Sequence, residues 1–231
     1  AFDAYASSQG AAWVAEQAKA LTGRLPTDVV LSHHHGDHTA GLAGFAAAGD
    51  PPRVWLTEPM RERLRSGRPP AGAEAMLEEA AIVATSAETR LDLGGSNLVL
   101  RPLSGHTPSD VVATIGDRVT FCGDLIWNRL FPNYVDATPI ELGRSVDALL
   151  EAHSAVRVPG HGPLFAEGEL ATYRRVLAEV EAAARAAHQA GTPAAEAAQA
   201  FSLPGSLGTW TLFSPSYFEV AFRAWHRQLA G

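Results

Sequence analysis

The sequence predicts an α/β fold, and three observations support this class. Short apolar runs typical of strands, such as residues 29–31, alternate with amphipathic helical segments in the first part of the chain. Alternating apolar residues separated by glycine turns then predict a strand meander over residues 90–122. The last part of the chain is rich in Ala and Glu at helical spacing, which indicates amphipathic helices.

Each predicted element follows from its local pattern. Helical periodicity ended by Gly23 predicts a helix over residues 11–22, and residues 39–48 show a second helical pattern. The remaining elements, in chain order, are a strand at 54–56, a helix at 74–82, meander strands at 90–93, 97–103, 111–115 and 119–122, and helices at 141–152, 167–190, 194–200 and 215–229. No repeat or linker divides the chain, so we expect a single domain over residues 1–231, with a core at 1–165 and a helical extension at 166–231.

The segment of residues 32–38 carries the strongest chemical signal. It places His33, His35, Asp37 and His38 in an HxHxDH pattern directly after the first predicted strand. On an extended backbone, His33 and His35 can point to the same side and reach one ion. Asp37 and His38 follow a turn and can face a second ion. The negative charge of the Asp37 carboxylate helps to hold that second cation. The segment therefore predicts a metal site.

Three more candidate ligands lie downstream at the ends of predicted strands. These are His106, Asp124 and His161, and each has a glycine directly beside it in the sequence. A single histidine in such a loop is a weak sign of a metal ligand. An ordered set of motifs with matching strand and loop contexts is a strong one.

In this order the motifs resemble those of the metallo-β-lactamase superfamily, whose members carry HxHxDH, a lone His, an Asp and a final His. The resemblance implies a four-layer αββα sandwich. It also implies two divalent metal ions, with zinc expected and iron or manganese as alternatives. Seven residues would hold these ions: His33, His35 and His106 the first, Asp37, His38 and His161 the second, and Asp124 both.

The resemblance further implies an enzyme. A water that bridges two zinc ions loses a proton near neutral pH, so we expect hydrolysis of a small ester, lactone, thioester or amide by a metal-bridging hydroxide. Asp37 is the expected catalytic residue, which passes a proton to the leaving group.

Two alternatives stay open at this point. One is an iron-dependent oxidoreductase similar to persulfide dioxygenases, which use only the ligands of the first site; the complete second set disfavours it. The other is a β-lactamase. True metallo-β-lactamases lack the bridging Asp, whereas glyoxalase II and the lactonases keep it, as this chain does with Asp124. Cys122 lies two residues earlier and is expected to be a buried packing residue.

The loop after Asp124 overhangs the metals in the family, so it is where we expect substrate contacts. Trp127, Phe131 and Tyr134 are the candidates, and packing of the loop onto the domain is an equal alternative for each. Aromatic residues in the tail, including Phe213, are expected to dock helices rather than to cap the site. Candidates to orient the ligand histidines, or simply to cap loops, are Ser32, Thr107, Ser109 and Asp110.

Composition restricts the partners. A net charge of -7, with Lys19 as the only lysine, argues against nucleic acid binding and favours a small-molecule substrate. No apolar run approaches the roughly 18 residues of a membrane span, so we expect a soluble protein, in the cytoplasm, the periplasm or outside the cell. Family members begin with further strands before the segment that resembles Phe2 and Asp3. If those strands are missing, a partner chain or a second copy would have to cover the open edge.

Overall fold

The structure is a computed structural model, and it describes residues 1–67, 69–166 and 168–231. The helices are α1 (Ser8–Thr22), α2 (Gly36–Thr39), α3 (Ala43–Ala47), α4 (Glu58–Ser66), α5 (Glu74–Glu78), α6 (Pro139–Glu151), α7 (Glu169–Gln189), α8 (Ala194–Ala200) and α9 (Tyr217–Ala230). The strands are β1 (Asp28–Val30), β2 (Arg53–Leu56), β3 (Ala81–Ile82), β4 (Thr89–Asp92), β5 (Asn97–Leu103), β6 (Asp110–Ile115), β7 (Val119–Phe121) and β8 (Val156–Val158).

The chain forms two compact units. The first comprises Ala1–Pro102 and Val111–Ala113, and the second comprises Leu103–Asp110 and Thr114–Gly231. Strands β1, β2 and β3 make a parallel sheet in that order within the first unit. Helix α1 packs against α3 in the same unit. Val29 and Val54 pair in register and are buried, as expected of a parallel sheet.

The start of the chain runs along the edge of β1. Phe2 forms a parallel bridge with Val30, and the Asp3 backbone N–H donates to the Val30 carbonyl at 2.8 Å. Helix α1 then begins after Ser7, whose hydroxyl accepts from the Gly10 N–H and so caps the helix. This path brings Asp3 close to the residues that follow β1.

A second sheet has the strand order β4-β5-β6-β7-β8. Strands β4 and β5 form an antiparallel hairpin, as the glycine turn predicts, and Gly94 and Gly95 both adopt positive φ angles. Strands β7 and β8 pair in parallel and are connected through α6, because a parallel pair needs a long crossover connection. In the second unit, α7, α8 and α9 pack on one another.

Two predicted helices are wrong in their extent. The helix predicted at residues 39–48 is interrupted, and two short helices, α2 and α3, stand in its place. The start of the chain packs closely against this region because residues 41 and 44 are glycines. A Cβ at Gly41 would lie 2.0 Å from the backbone oxygen of Ala4, and one at Gly44 would lie 2.0 Å from that of Ser8. The helix predicted at 74–82 ends at Glu78, and Ala81–Ile82 instead pairs with β2.

The long C-terminal helix agrees with the prediction within a few residues. Glu167, the predicted first residue, lies outside the described residues, and α7 begins at Glu169. In the part of the chain that the structure describes, no helix combines the length and the apolar character that crossing a bilayer requires.

Candidate metal centre

The HxHxDH segment lies directly after β1, as the sequence predicts. The rings of His33 and His35 lie 4.7 Å apart, and those of His33 and His38 lie 4.2 Å apart. His35 is still extended (φ -66°, ψ 148°) and occupies the position directly before the single turn of α2. That turn carries Asp37 and His38, whose Oδ2 and Nε2 atoms lie 3.5 Å apart. Four predicted ligands are thus brought together within the first unit.

Asp3 organises this cluster, although no sequence pattern assigned it a role. Its Oδ1 accepts from the Ser32 N–H at 2.7 Å, and its Oδ2 accepts from the Ser32 hydroxyl at 2.9 Å. The same Oδ2 lies 2.8 Å from Nδ1 of His38. Ser32 in turn lies 2.9 Å from Nδ1 of His33. One carboxylate therefore orients two candidate ligands, one of them through a serine.

The hydrogen bonds around Asp3 determine which ring nitrogens face a metal. An ionised carboxylate only accepts, so His38 must donate to it from Nδ1. Ser32 uses its one proton for Asp3, so its oxygen accepts from Nδ1 of His33. Both imidazoles then carry their lone pair on Nε2. This pairing of a histidine ligand with a carboxylate is what metal sites use to fix the ring and its tautomer.

Asp124 is the centre of the cluster in the second unit. Its Oδ2 lies 3.4 Å from Nε2 of His106 and 3.4 Å from Nε2 of His161. These distances exceed those of a normal N–H to oxygen hydrogen bond, which are 2.7 to about 3.2 Å. Two donors bonded to one tetrahedral zinc ion at about 2.05 Å are separated by about 3.4 Å. The spacing therefore fits ligands that share an ion.

The loop that carries His106 is held by a buried carboxylate. Asp110 accepts from the backbone N–H groups of His106 and Thr107 and from the Thr107 hydroxyl at 2.7 Å. Burial raises the pKa of Asp110 to about 7, although these hydrogen bonds oppose the shift. Of the four predicted supporting residues, Ser32 reaches an imidazole, while Thr107 and Asp110 hold the loop backbone and Ser109 donates its N–H to Thr107.

Glycines next to the last ligand allow backbones to come unusually close. A Cβ at Gly160 would lie 1.9 Å from Oδ1 of Asp124. A Cβ at Gly162, where φ is +94°, would lie 1.9 Å from the carbonyl oxygen of Asn128. The Gly-His-Gly sequence around His161 is therefore a packing requirement for placing Asp124 and His161 together.

The candidate ligands differ in exposure. The side chains of His33, His38, His106 and Asp124 are buried. By contrast, the side chain of Asp37 is 48% exposed and that of His161 is 23% exposed. Structural zinc sites are closed, whereas catalytic sites keep a position open to solvent and substrate. Solvent therefore reaches the candidate ligands Asp37 and His161.

The three predicted substrate contacts lie in the packed part of the second unit. Phe131 contacts Tyr134 and Phe218, and both Phe131 and Tyr134 are fully buried. Burial also raises the pKa of Tyr134. Trp127 is buried with its ring 4.3 Å from that of His161. The observed role of all three is packing, and direct contact with a substrate stays a prediction. Cys122 is buried, as predicted.

The predicted ligands recur in groups of His and Asp donors that could hold a metal ion. Within the first unit these are His33, His35, Asp37 and His38, and within the second they are His106, Asp124 and His161. Imidazole nitrogens and carboxylate oxygens suit zinc, iron and manganese. The donor set, the tautomers fixed by Asp3 and the spacing around Asp124 therefore fit divalent metal ions.

Solved structures with similar folds cover most or all of the chain. A sec-alkylsulfatase, Pisa1 from Pseudomonas sp., matches with a TM-score of 0.75 and 19% identity over 100% of this chain and 45% of its own. The metallo-beta-lactamase FIM-1 from Pseudomonas aeruginosa matches with a TM-score of 0.62 and 24% identity over 77% of both chains. These likenesses confirm the predicted fold class.

Two curated relatives carry the same name. A hydroxyacylglutathione hydrolase from Acidiphilium cryptum is 30% identical over 148 residues, which are 63% of this chain and 54% of the relative. The enzyme of that name from Cupriavidus taiwanensis is 30% identical over 155 residues, again 54% of its length. The chain spans about half the length of these relatives.

The family itself is shown by a sequence model that matches most of the chain. The match extends over residues 5–161 and so ends at the last of the predicted ligands, His161. The chain belongs to the metallo-beta-lactamase superfamily.

Proposed function

We propose that this protein is a hydrolase that uses two divalent metal ions to cleave a small ester, lactone, thioester or amide. Zinc is the metal that we expect. One observation carries the proposal: Oδ2 of Asp124 lies 3.4 Å from Nε2 of both His106 and His161, the separation expected of donors that share an ion. A shared carboxylate reduces the repulsion between two nearby dications. His33, His35 and His106 would hold the first ion, and Asp37, His38 and His161 the second, with Asp124 common to both.

Bound metal ions would supply a water of lowered pKa and would polarise the bond that breaks. The chain supplies the rest. Asp3 holds the imidazoles of His33 and His38 in fixed orientations, so the ligands need little reorganisation. Asp37 is the one candidate ligand with a carboxylate open to solvent, at 48% exposure, so its oxygen can accept a proton and return it to the leaving group.

Thioesters are the first substrates to test. The name hydroxyacylglutathione hydrolase, carried by the relatives, describes cleavage of a thioester bond, and these relatives also support a carboxylic acyl substrate. Lactones and simple esters break by the same addition of water to a carbonyl carbon. Screening all three classes with one zinc-loaded preparation separates the substrate question from the reaction type.

The test of Asp37 compares it with an exposed aspartate of no proposed role. Asp37→Ala should lose activity by at least about 100-fold, the contribution expected of a general acid or base, and should bind the second metal less tightly. Asp50, which is exposed in a loop of the first unit, gives the matched control Asp50→Ala. Full activity in Asp37→Ala would contradict the proposed role of Asp37 in proton transfer.

The second candidate function is an iron-dependent oxidoreductase. The metal content of the purified protein distinguishes it from the hydrolase. A single iron per chain, with no hydrolysis of any acyl substrate, would favour that reading over the hydrolase. Imidazole and carboxylate ligands suit both iron and zinc, so elemental analysis of the purified protein distinguishes the two candidates.

A further inference from the structure

Phe213 is a large apolar side chain that stays open to solvent next to a candidate metal ligand. Its side chain is 57% exposed. Its ring meets that of His161 edge to face at 5.8 Å and that of Trp127 edge to face at 5.5 Å. Trp127 in turn lies against His161 at 4.3 Å. We call Trp127 and Phe213 the aromatic wall; only Phe213 offers its surface to solvent.

The backbone before Phe213 is fixed to the loop that follows Asp124. Leu130 and Thr211 form a parallel bridge. The Phe131 N–H donates to the Thr211 carbonyl at 2.8 Å, and the Thr211 N–H donates to the Arg129 carbonyl at 3.0 Å. Phe213 lies two residues beyond this bridge. Its position beside His161 is therefore set by backbone hydrogen bonds.

Helix docking accounts for other aromatic residues of the tail but not for Phe213. Phe222 and Trp225 lie inside α9 and are buried, as residues that dock a helix should be. Phe213 precedes α9 and contacts its first residue, Tyr217, only at 6.5 Å between ring centres. The expectation that Phe213 serves to dock a helix therefore does not match its exposure.

We propose that Phe213 determines substrate specificity by binding the apolar chain of an acyl substrate beside His161. The substrate class is then esters or thioesters of acids with an alkyl or aryl group, in preference to small polar acids. This inference rests on the proposed hydrolase function. An exposed aromatic face next to a candidate ligand gains stabilisation when a hydrocarbon covers it, because both apolar surfaces leave water.

The size of the effect follows from burial of methylene groups. Complete burial of one methylene strengthens binding about fourfold. A chain that lies on the wall is covered on one side only, so we expect about twofold for each methylene. Over the four methylenes that separate acetate from hexanoate, the dissociation constant should fall about 16-fold.

The test measures binding and hydrolysis separately on the zinc-loaded protein. Calorimetry gives the dissociation constants of acetate, butyrate and hexanoate, which are product acids of increasing chain length. The variants are Phe213→Ala, Phe213→Leu and, as a control at an exposed aromatic on α1, Trp13→Ala. Thermal unfolding checks that each variant folds. In parallel, p-nitrophenyl acetate and p-nitrophenyl hexanoate report hydrolysis.

We expect a 16-fold gain from acetate to hexanoate in the wild type and in Trp13→Ala. The gain should shrink to less than about fourfold in Phe213→Ala and should be largely kept in Phe213→Leu. Equal affinity for the three acids in the wild type would overturn the inference, even if both esters are hydrolysed. A gain in affinity with chain length that Phe213→Ala abolishes, without hydrolysis of either ester, would support the binding role of Phe213. The same result would contradict the proposed hydrolase activity.

Discussion

Replacing Asp3 with Asn should remove one metal ion while leaving the fold in place. Asn has the shape of Asp and tolerates the positive φ of 61° that this position adopts. The substitution exchanges one accepting oxygen for an NH2 group that donates. Because Asp3 accepts from Ser32 and from His38 through both oxygens, either orientation of the Asn amide loses at least one of these hydrogen bonds.

The consequence for His38 is a change of tautomer. If the NH2 group faces Nδ1 of His38, that nitrogen must become the acceptor, and the proton moves to Nε2. A protonated Nε2 has no lone pair for a metal. Loss of a carboxylate partner of a histidine ligand typically lowers metal affinity 10 to 100-fold, or about 1.4 to 2.7 kcal/mol. We expect this loss at the ion that His38 would hold.

The assay is zinc titration against a chromophoric chelator, combined with elemental mass spectrometry of the purified protein. Asp3→Asn should retain about one zinc per chain under conditions where the wild type holds about two. Asp28→Asn is the matched control, because Asp28 begins β1 and accepts from the Trp55 indole at 2.8 Å. The reasoning fails if Asp3→Asn binds two zinc ions with the affinity of the wild type.

Two further substitutions test the support of the candidate site. Gly160→Ala should push Asp124 aside, because the new Cβ would lie 1.9 Å from its Oδ1. We expect the free energy of unfolding to fall by about 1 to 3 kcal/mol and the zinc content to fall with it. Calorimetric unfolding and metal analysis measure the two effects, and an unchanged melting temperature would contradict the close packing of Gly160 on Asp124. Glu169 has a lowered pKa, first through the Ala166 N–H and then through Arg129 and Asn128, so its stabilisation is full above its unfolded pKa and is lost as pH falls through the folded one. Glu169→Gln should therefore melt lower than wild type at pH 7, and the difference should close on acidification; a difference that is constant down to pH 3 would refute the linkage.

The metal ligands could be predicted from the sequence because their chemistry is local. His33, His35, Asp37 and His38 are contiguous, and donor type with spacing is enough to indicate a site. Asp3 could not be found this way. It lies 29 residues from Ser32, and its role depends on a chain start that runs along the edge of β1. The one local sign was a serine directly before the first histidine ligand.

The errors in the fold have the same origin. Periodicity over residues 39–48 is helical, but the helix is interrupted between Thr39 and Ala43, where the chain start packs against Gly41. Ala81–Ile82 continues a helical pattern, yet parallel pairing with Trp55 and Leu56 makes it a strand. In both cases tertiary contacts override local propensity. Sequence patterns likewise do not place Phe213 beside His161, because the two residues are remote in sequence.

The central claim is that this chain binds two divalent metal ions through a shared Asp124. Elemental mass spectrometry on protein purified without chelators or histidine tags, for the wild type and Asp124→Ala, tests it most directly. We predict about two zinc ions per wild-type chain and a loss at both sites in the variant, since Asp124 is the ligand proposed to be common to both ions. A single iron in the wild type, or full metal content in Asp124→Ala, would contradict the claim.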